Sequence, residues 1–343
     1  MTILCFLLEL IKYEVFLLRF FKLIQMKLNV KRISLIGVFS LFFVPSFFAQ
    51  EEETSNEPTS NWKLESIYSL NVTQSSFTNW SAGGRNNLSG LAFINGFAEY
   101  SKNRIKWSNY LTAGIGGVQY FDSDLEKTDD VLDFQSTLAY GFKDPWYVSL
   151  LGGFRTQFLN GYANPGDSLF ASTFMAPGYL NVSLGIEYIP NDNFKAMLSP
   201  ISGKFTFVQD QRLADAGEFG VTPAVYDDLG NLLTAGENFR AEMGAYLRLI
   251  YKKELMTNIN LKSRLELFSN YFNNPQNIDV NAEVVVDFKI NKWFSASLQL
   301  NLIYDDDIQI TDRHGNVGPR TQFKQVIGLG IAYRLANFKE KED

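Results

Sequence analysis

The chain has 343 residues, of which 46% are hydrophobic and 15% aromatic, including 30 Phe and 16 Tyr. The mean hydropathy is only -0.09, so polar residues dilute the apolar ones throughout, which favours sheet over membrane helices. The formal net charge is -6, and this acidic balance gives no indication of nucleic acid as a partner. Cys5 is the single cysteine, which excludes structural disulfides and cysteine-based metal sites.

The first 49 residues contain a pattern typical of a secretory signal peptide. A basic stretch, residues 27–32, precedes an apolar run, residues 33–44, and a small residue, Ala49, closes the pattern. We therefore predict a signal peptide at 26–49. Residues 1–25 are interpreted as an upstream start that was assigned too early. A genuine N-terminal membrane helix is the alternative.

Three long segments alternate between apolar and polar side chains: 239–252, 278–290 and 323–335. A period of two indicates a strand with one apolar and one polar face. These segments exceed the roughly 5–6 residues of an ordinary strand. They reach the roughly 9–11 residues that a tilted strand needs to cross a bilayer. Their length therefore favours strands that span a membrane.

About twelve strands are predicted along the chain. Their expected starts are Lys63, Asn87, Ile105, Asp130, Trp146, Phe174, Phe194, Asn238, Met256, Ile278, Trp293 and Gln322. Short turns (102–104, 143–145, 190–193, 252–255 and 291–292) alternate with longer segments (75–86, 122–129, 160–173, 210–237, 273–277 and 305–321). Short periplasmic turns and long outer loops are typical of a transmembrane barrel.

The predicted fold is therefore an all-β, antiparallel, up-and-down transmembrane β-barrel of about twelve strands at residues 62–335. Closure is required because an open sheet edge in lipid leaves backbone groups without hydrogen bonds. A polar leader, residues 50–61, would precede the barrel, and a polar tail, residues 336–343, would follow it. Pro200 and Gly203 predict a bulge within one strand, since proline cannot donate to the ladder.

Aromatic residues flank every predicted short turn, which indicates an interfacial girdle on the periplasmic side. They are Tyr100, Trp107, Phe142, Trp146, Tyr188, Phe194, Tyr251, Phe288, Trp293 and Phe294.

The polar face of three consecutive predicted strands contains ten charged residues, which we expect to point into the lumen. They are Arg240, Glu242, Arg248, Lys252, Lys262, Arg264, Glu266, Asp279, Glu283 and Asp287. Cross-strand ion pairs of this kind could set the selectivity of a water-filled pore. They could equally fill and stiffen a narrow interior. The sequence leaves both readings open.

No residue set suited to catalysis, cofactor binding or metal binding is evident, and the chain is not expected to be an enzyme. The single histidine, His314, lies in "DRHGN", which together with "DDLGN" at 227–231 predicts a tight turn with glycine at positive φ. A serine–histidine site therefore has no support. The acidic runs 122–130 and 304–307 are interpreted as solvated loops, bridged by divalent ions to lipopolysaccharide.

The first long segment contains "SSFTNWSAGGRNNLSG". It resembles the marker of an outer-membrane barrel family of unknown function from Bacteroidota, on Asn79, Trp80, Ala82, Gly83 and Gly84. The resemblance implies an outer-membrane barrel and no activity. Because a strand and not a helix follows the two glycines, we interpret this stretch as a strand reversal. We expect Trp80 to pack at the outer membrane interface or in the barrel mouth.

Two functions follow as expectations. The first is a narrow porin-like channel for small solutes in the cell outer membrane. The alternative is a structural or accessory barrel whose outer loops bind a surface partner or a transport complex. The expected partners are outer-membrane lipid, lipopolysaccharide and the barrel assembly machinery during insertion, with no nucleic acid.

Overall fold

The computed structural model describes residues 60–76, 85–120, 123–164, 166–291, 294–311 and 314–337. All of them belong to one compact unit, Pro58–Asp343. The predicted signal peptide and most of the predicted leader and tail lie outside the described residues. Within the described part of the chain, no helix is long and apolar enough to cross a membrane.

Twelve antiparallel strands close into a barrel. They are β1 (Trp62–Ser75), β2 (Asn87–Lys102), β3 (Ile105–Tyr120), β4 (Leu125–Lys143), β5 (Trp146–Thr156), β6 (Gly178–Asn191), β7 (Phe194–Phe207), β8 (Phe239–Met256), β9 (Ile259–Asn270), β10 (Asp279–Lys289), β11 (Phe294–Tyr304) and β12 (Gln322–Ala336). Each strand pairs with the next in the chain, and β12 pairs with β1 from Glu65↔Ala336 to Asn71↔Gly330. The predicted up-and-down topology and strand number are confirmed.

The two faces of the barrel have inverted polarity compared with a water-soluble protein. Outward residues such as Leu150 and Ile327 are 49% and 73% exposed. Inward residues such as Glu187 and Arg248 are each only 2% exposed. Large apolar side chains around the whole circumference are stable in contact with lipid, and polar side chains are then directed inward. The sequence and the pairing thus define a transmembrane β-barrel.

Five of the twelve predicted strand starts coincide with the observed ones, those of β2, β3, β5, β7 and β12. Three others need correction. β4 begins at Leu125 and not at Asp130, since a register shift between Gly116 and Gly117 of β3 lets residues 125–129 continue the pairing. β6 begins at Gly178, after the predicted Phe174.

The third correction concerns the turn between β8 and β9. It lies at residues 257–258 and not at 252–255, so that Met256 ends β8 instead of beginning the next strand. Asn258 has a positive φ of 68°, and a short polar residue is well suited to that left-handed position. The basic run that suggested a turn at 252–255 lies within the strand.

The predicted bulge in β7 is confirmed. The pairing of β8 with β7 shifts register between Gly244 and Tyr246, and the pairing of β6 with β7 shifts between Leu184 and Ile186. Both shifts bracket Pro200, which has no N–H to donate to a neighbouring strand.

Aromatic residues cluster at the end of the barrel with the short turns. The ring of Trp62 lies 5.3 Å from Tyr100 and 5.7 Å from Trp107. Trp146 lies 4.8 Å from Tyr188 on the neighbouring strand. These pairs mark the end that we call the inner end, where interfacial aromatics were predicted.

The segment between β7 and β8 is folded and not an extended loop. It contains a five-residue helix, α1 (Gln211–Asp215), a 3-10 turn (Glu218–Gly220) and a hairpin of Val225–Tyr226 with Leu232–Thr234. A small core of Ala176, Val208, Leu213, Ala214 and Val221 joins it to the segment between β5 and β6. The predicted glycine turns are confirmed, with φ of 82° at Gly230 and 83° at Gly315.

Candidate functional site

The candidate site is the charged interior of the barrel. At the outer end, where the long segments lie, Lys204 of β7 is the centre of an acidic group. Its Nζ lies 2.6 Å from Asp279, 2.7 Å from Asp305 and 3.8 Å from Glu242. The lysine side chain is only 14% exposed, so this ammonium group and the carboxylates around it are substantially shielded from water.

Arg240 connects this outer group to the folded outer segment. Its Nη2 donates to Glu242 at 3.0 Å and to Asp307, and its Nη1 donates to the carbonyl of Gly220 at 2.8 Å. Gly220 has a φ of 80°, and a Cβ there would approach Arg240 to 2.7 Å. The glycine therefore allows the outer segment to lie directly against the charged residues at the mouth.

A second level of charge crosses the middle of the lumen. Arg264 of β9 donates to Asp133 of β4 at 3.1 Å and lies 3.1 Å from Glu283 of the adjacent strand. Strands β9 and β4 lie on opposite sides of the barrel, so this contact spans the interior. Glu266, one inward position further along β9, accepts from Tyr246 and Asn281, both at 2.8 Å.

A third level lies towards the inner end. Arg248 of β8 donates to Glu187 of β6 at 3.3 Å and to Thr137 of β4 at 3.2 Å. The hydroxyl group of Ser149 also donates a hydrogen bond to Glu187, at 2.7 Å. Lys195 of β7 donates to Glu99 of β2 at 3.2 Å, which is another contact between non-adjacent strands.

The remaining two predicted lumen cations lie near the inner end. The ammonium of Lys252 lies 5.2 Å from the ring of Phe97 and 5.0 Å from that of Tyr110, a cation–π arrangement. Lys262 lies 3.8 Å from Asp287, with 46% and 43% of the two side chains exposed. The structure thus brings the ten predicted charges into four groups along the barrel interior.

The sequence analysis missed several charged residues that belong to these groups. They are Glu99, Asp133, Glu187, Lys195, Lys204, Asp305 and Asp307. Most of them belong to strands whose alternation is less regular. A signal was nevertheless present in β6, where Glu187 interrupts the apolar run "LGIEYI".

Reading the acidic runs as solvated loops was wrong for three residues. Asp305 is 8% exposed and pairs with Lys204, and Asp129 is 7% exposed and pairs with Lys324 at 3.1 Å. Asp130 accepts from the backbone N–H groups of residues 158 and 159 at 2.8 and 2.7 Å. Lysine ammonium groups and backbone N–H groups therefore bind these three carboxylates inside the fold.

One group of carboxylates in the described residues has the spacing of a metal site. Asp279, Asp305 and Asp306 each present an oxygen within 4.8 Å of the others. Two of the three already pair with Lys204, and Asp306 accepts from Asn277 at 2.6 Å. The lysine ammonium therefore supplies the counter-charge that a metal ion would supply.

Two cavities adjoin these charges. A cleft of about 480 Å³ lies at the mouth, between residues 220–223, Arg240, Phe272 and Asp307. A cavity of about 10 Å³ lies at the level of Arg248, which is room for about one water molecule.

The remaining predicted sites lie away from the lumen. His314 is exposed in the outer hairpin formed by Gln309–Thr311 and Val317–Pro319. The marker residues Asn79, Trp80, Ala82, Gly83 and Gly84 lie outside the described residues. Their role and the Bacteroidota resemblance stay predictions.

Two segments match families that are described only as proteins of unknown function. Residues 72–162 match DUF3078, and residues 211–314 match DUF481. No curated protein matches the sequence.

Several solved outer-membrane proteins are similar to this chain at low identity. An outer membrane channel (COG4313) from Pseudomonas putida F1 is 12% identical with a TM-score of 0.35, covering 84% of this chain and 100% of its own. The translocator domain of the autotransporter NalP from Neisseria meningitidis is 9% identical with a TM-score of 0.31, covering 88% and 96%. The P. putida toluene transporter TodX is 9% identical with a TM-score of 0.28, covering 83% and 92%. The assignment to the transmembrane barrels rests on the closed pairing and on the polarity of the two faces.

Replacing Lys204 with methionine tests the outer charge group. Asp279 and Asp305 would then lie in the interior without their main counter-charge, and the loss of one partner of a buried pair costs about 3–5 kcal/mol. The control is Lys262→Met, which removes a half-exposed pair worth about 0–1 kcal/mol. The measurement is the free energy of unfolding by urea in detergent micelles. Equal losses in the two variants would contradict the burial of this group.

Proposed function

We propose that the protein is a narrow channel for small hydrophilic solutes in the outer membrane of a Gram-negative bacterium. The charged interior supports a polar passage over an apolar one. The lipid-facing side chains are apolar, and most inward ones are charged or hydroxylated, apart from small buried clusters such as Leu151 with Met197. The ion pairs that cross the lumen support a narrow passage over a wide one.

The observation that carries the proposal is the exposure of inward charges on the wall formed by β9, β10 and β12. The inward side chains of Lys262, Asp287 and Lys324 are 46%, 43% and 47% exposed, whereas Arg248 and Glu187 on the packed side are each 3% exposed. On β12 the inward neighbours of the lipid-facing Ile331 are small: Ala332, and Gly330, which lies against Asn71 of β1. A lumen meant only to be filled would bury these charges, so their exposure supports room for solute beside the packed side of the barrel.

The crossing pairs would then act as the selective constriction of this channel. Arg264 with Asp133 and Lys195 with Glu99 place both signs of charge in the path. A charged constriction discriminates among solutes by sign and by hydrogen bonding more than by size alone.

We also propose the partners that the location requires. Lipopolysaccharide would contact the outer segments, and the barrel assembly machinery would insert the strands. These proposals rest on the barrel class alone.

Narrowing the β12 wall tests the channel. Ala332→Phe places a ring into the proposed passage and should lower the single-channel conductance measured in a planar lipid bilayer. The matched control is Ile331→Phe, which changes the adjacent, lipid-facing position and should leave the conductance at the wild-type value.

Two outcomes would contradict the channel. One is a wild-type barrel that inserts and stays silent at all voltages. The other is an equal conductance of Ala332→Phe and Ile331→Phe.

A second candidate function is recognition of a surface partner by the outer hairpin Val225–Thr234. Leu229, Leu232 and Leu233 are 87%, 52% and 65% exposed on it. At its tip, the carboxylate of Asp227 accepts hydrogen bonds from the amide side chain of Asn231 and from nearby backbone N–H groups. These bonds hold the pKa of Asp227 below its usual value. Exposed leucines on a preformed hairpin are typical of a protein-binding surface.

Replacing Leu229 and Leu233 together with serine tests the second candidate. The double variant should lose the discrete adduct that crosslinking on intact cells gives with the wild-type barrel. Asp228→Ser, on the same hairpin, should retain it. An adduct that survives the loss of both leucines would count against this surface.

A further inference from the structure

The inner cavity of about 10 Å³ has walls made of hydrogen-bond donors. It is lined by Lys106, Ser108, Tyr110, Thr137, Lys195 and Arg248, together with Glu187 and three aliphatic side chains. Lys106 belongs to β3, Thr137 to β4, Lys195 to β7 and Arg248 to β8, so non-adjacent strands meet here. The cavity is therefore part of the lumen and not a packing defect between two neighbouring strands.

Two buried polar atoms at this cavity have no hydrogen-bond partner among the described residues. They are Nη1 of Arg248 and the hydroxyl oxygen of Tyr110. The side chain of Arg248 is 3% exposed, and its Nη2 already donates to Glu187 and Thr137. A guanidinium nitrogen can only donate, and an unsatisfied buried donor costs free energy. Nη1 of Arg248 therefore requires an acceptor in the cavity.

The charges around the cavity are mainly positive. Lys106, Lys195 and Arg248 line it, while Glu187 is the one carboxylate among the lining residues. Glu187 already accepts from Ser149 and from Arg248. The nearby Glu99 is likewise engaged, by Lys195 at 3.2 Å and by Ser108 at 3.0 Å.

One further cation lies behind the cavity wall. The ammonium of Lys252 is 5.0 Å from the centre of the Tyr110 ring, and a cation over a ring polarises its phenol group towards donation. Four cations thus face two carboxylates at this level of the barrel. A cation or a metal ion would meet net repulsion here, and an anion net attraction.

We propose that this cavity binds a single monoatomic anion, a halide such as chloride, between Arg248 and Tyr110. The size decides against sulfate, phosphate and carboxylate solutes, because the space holds about one water-sized particle. The role of this site rests on the proposed channel. Within that channel, small anions would bind at the inner lumen on their way through the barrel. Binding that is close to the passage and weak enough to allow release is what conduction requires.

Bromide tests the site because it replaces chloride and scatters X-rays anomalously. Crystals of the full barrel in detergent, soaked in sodium bromide, should give an anomalous peak within hydrogen-bond distance of Arg248 Nη1 and the Tyr110 hydroxyl. Tyr110→Phe removes one of the two donors with almost no change in volume and should reduce the peak. The matched control Tyr140→Phe removes a hydroxyl from a residue that is 53% exposed on the outward face and should leave the peak unchanged.

A second measurement uses the protein in solution. Replacing gluconate by chloride at constant ionic strength should raise the thermal unfolding temperature of the wild-type barrel and of Tyr140→Phe. The rise should be smaller for Tyr110→Phe.

The absence of a bromide peak at this position, with a water refined there, would overturn the halide site. Equal peaks in Tyr110→Phe and Tyr140→Phe would also overturn it. A silent barrel that shows the bromide peak would reject the channel and retain the site. A conducting barrel without the peak would reject the site and retain the channel.

Discussion

The structure depends on one constraint, which is that every backbone N–H and C=O group inside a lipid bilayer must find its partner within the protein. Twelve strands meet this constraint because β12 pairs back to β1 from Glu65↔Ala336 to Asn71↔Gly330, so that the sheet has no edge. Closure then separates two environments. Side chains of one parity contact lipid, and side chains of the other parity share an enclosed interior.

The enclosed interior explains why the charges occur in groups. A charge removed from water is costly unless it is paired and hydrogen-bonded. Arg264 and Lys204 each contact carboxylates on more than one strand. The pairs Arg264–Asp133 and Lys204–Asp279 connect walls of the barrel that share no backbone hydrogen bonds. Because the interior is shielded from water, the unsatisfied donor Nη1 of Arg248 indicates that a ligand of the inner lumen must accept a hydrogen bond.

The strands and the inward parity could be predicted from the sequence because both follow from local periodicity. Arg248 and Glu242 alternate with apolar neighbours, and this pattern alone assigns them to the polar face. Their partners could not be predicted in the same way. Asp133 lies 131 residues from Arg264 in the chain, and its position depends on barrel closure and strand tilt. The small core around Leu213 in the outer segments was missed because it has no strand periodicity.

The central claim is that the barrel is apolar outside and polar inside, with an interior that excludes lipid. A spin-label scan of residues 148–151 in β5 tests it directly, using a barrel reconstituted in phospholipid vesicles without Cys5. The account predicts high collision rates with lipid-dissolved oxygen at Val148 and Leu150 and low rates at Ser149 and Leu151. Equal rates at all four positions, or the opposite alternation, would contradict it.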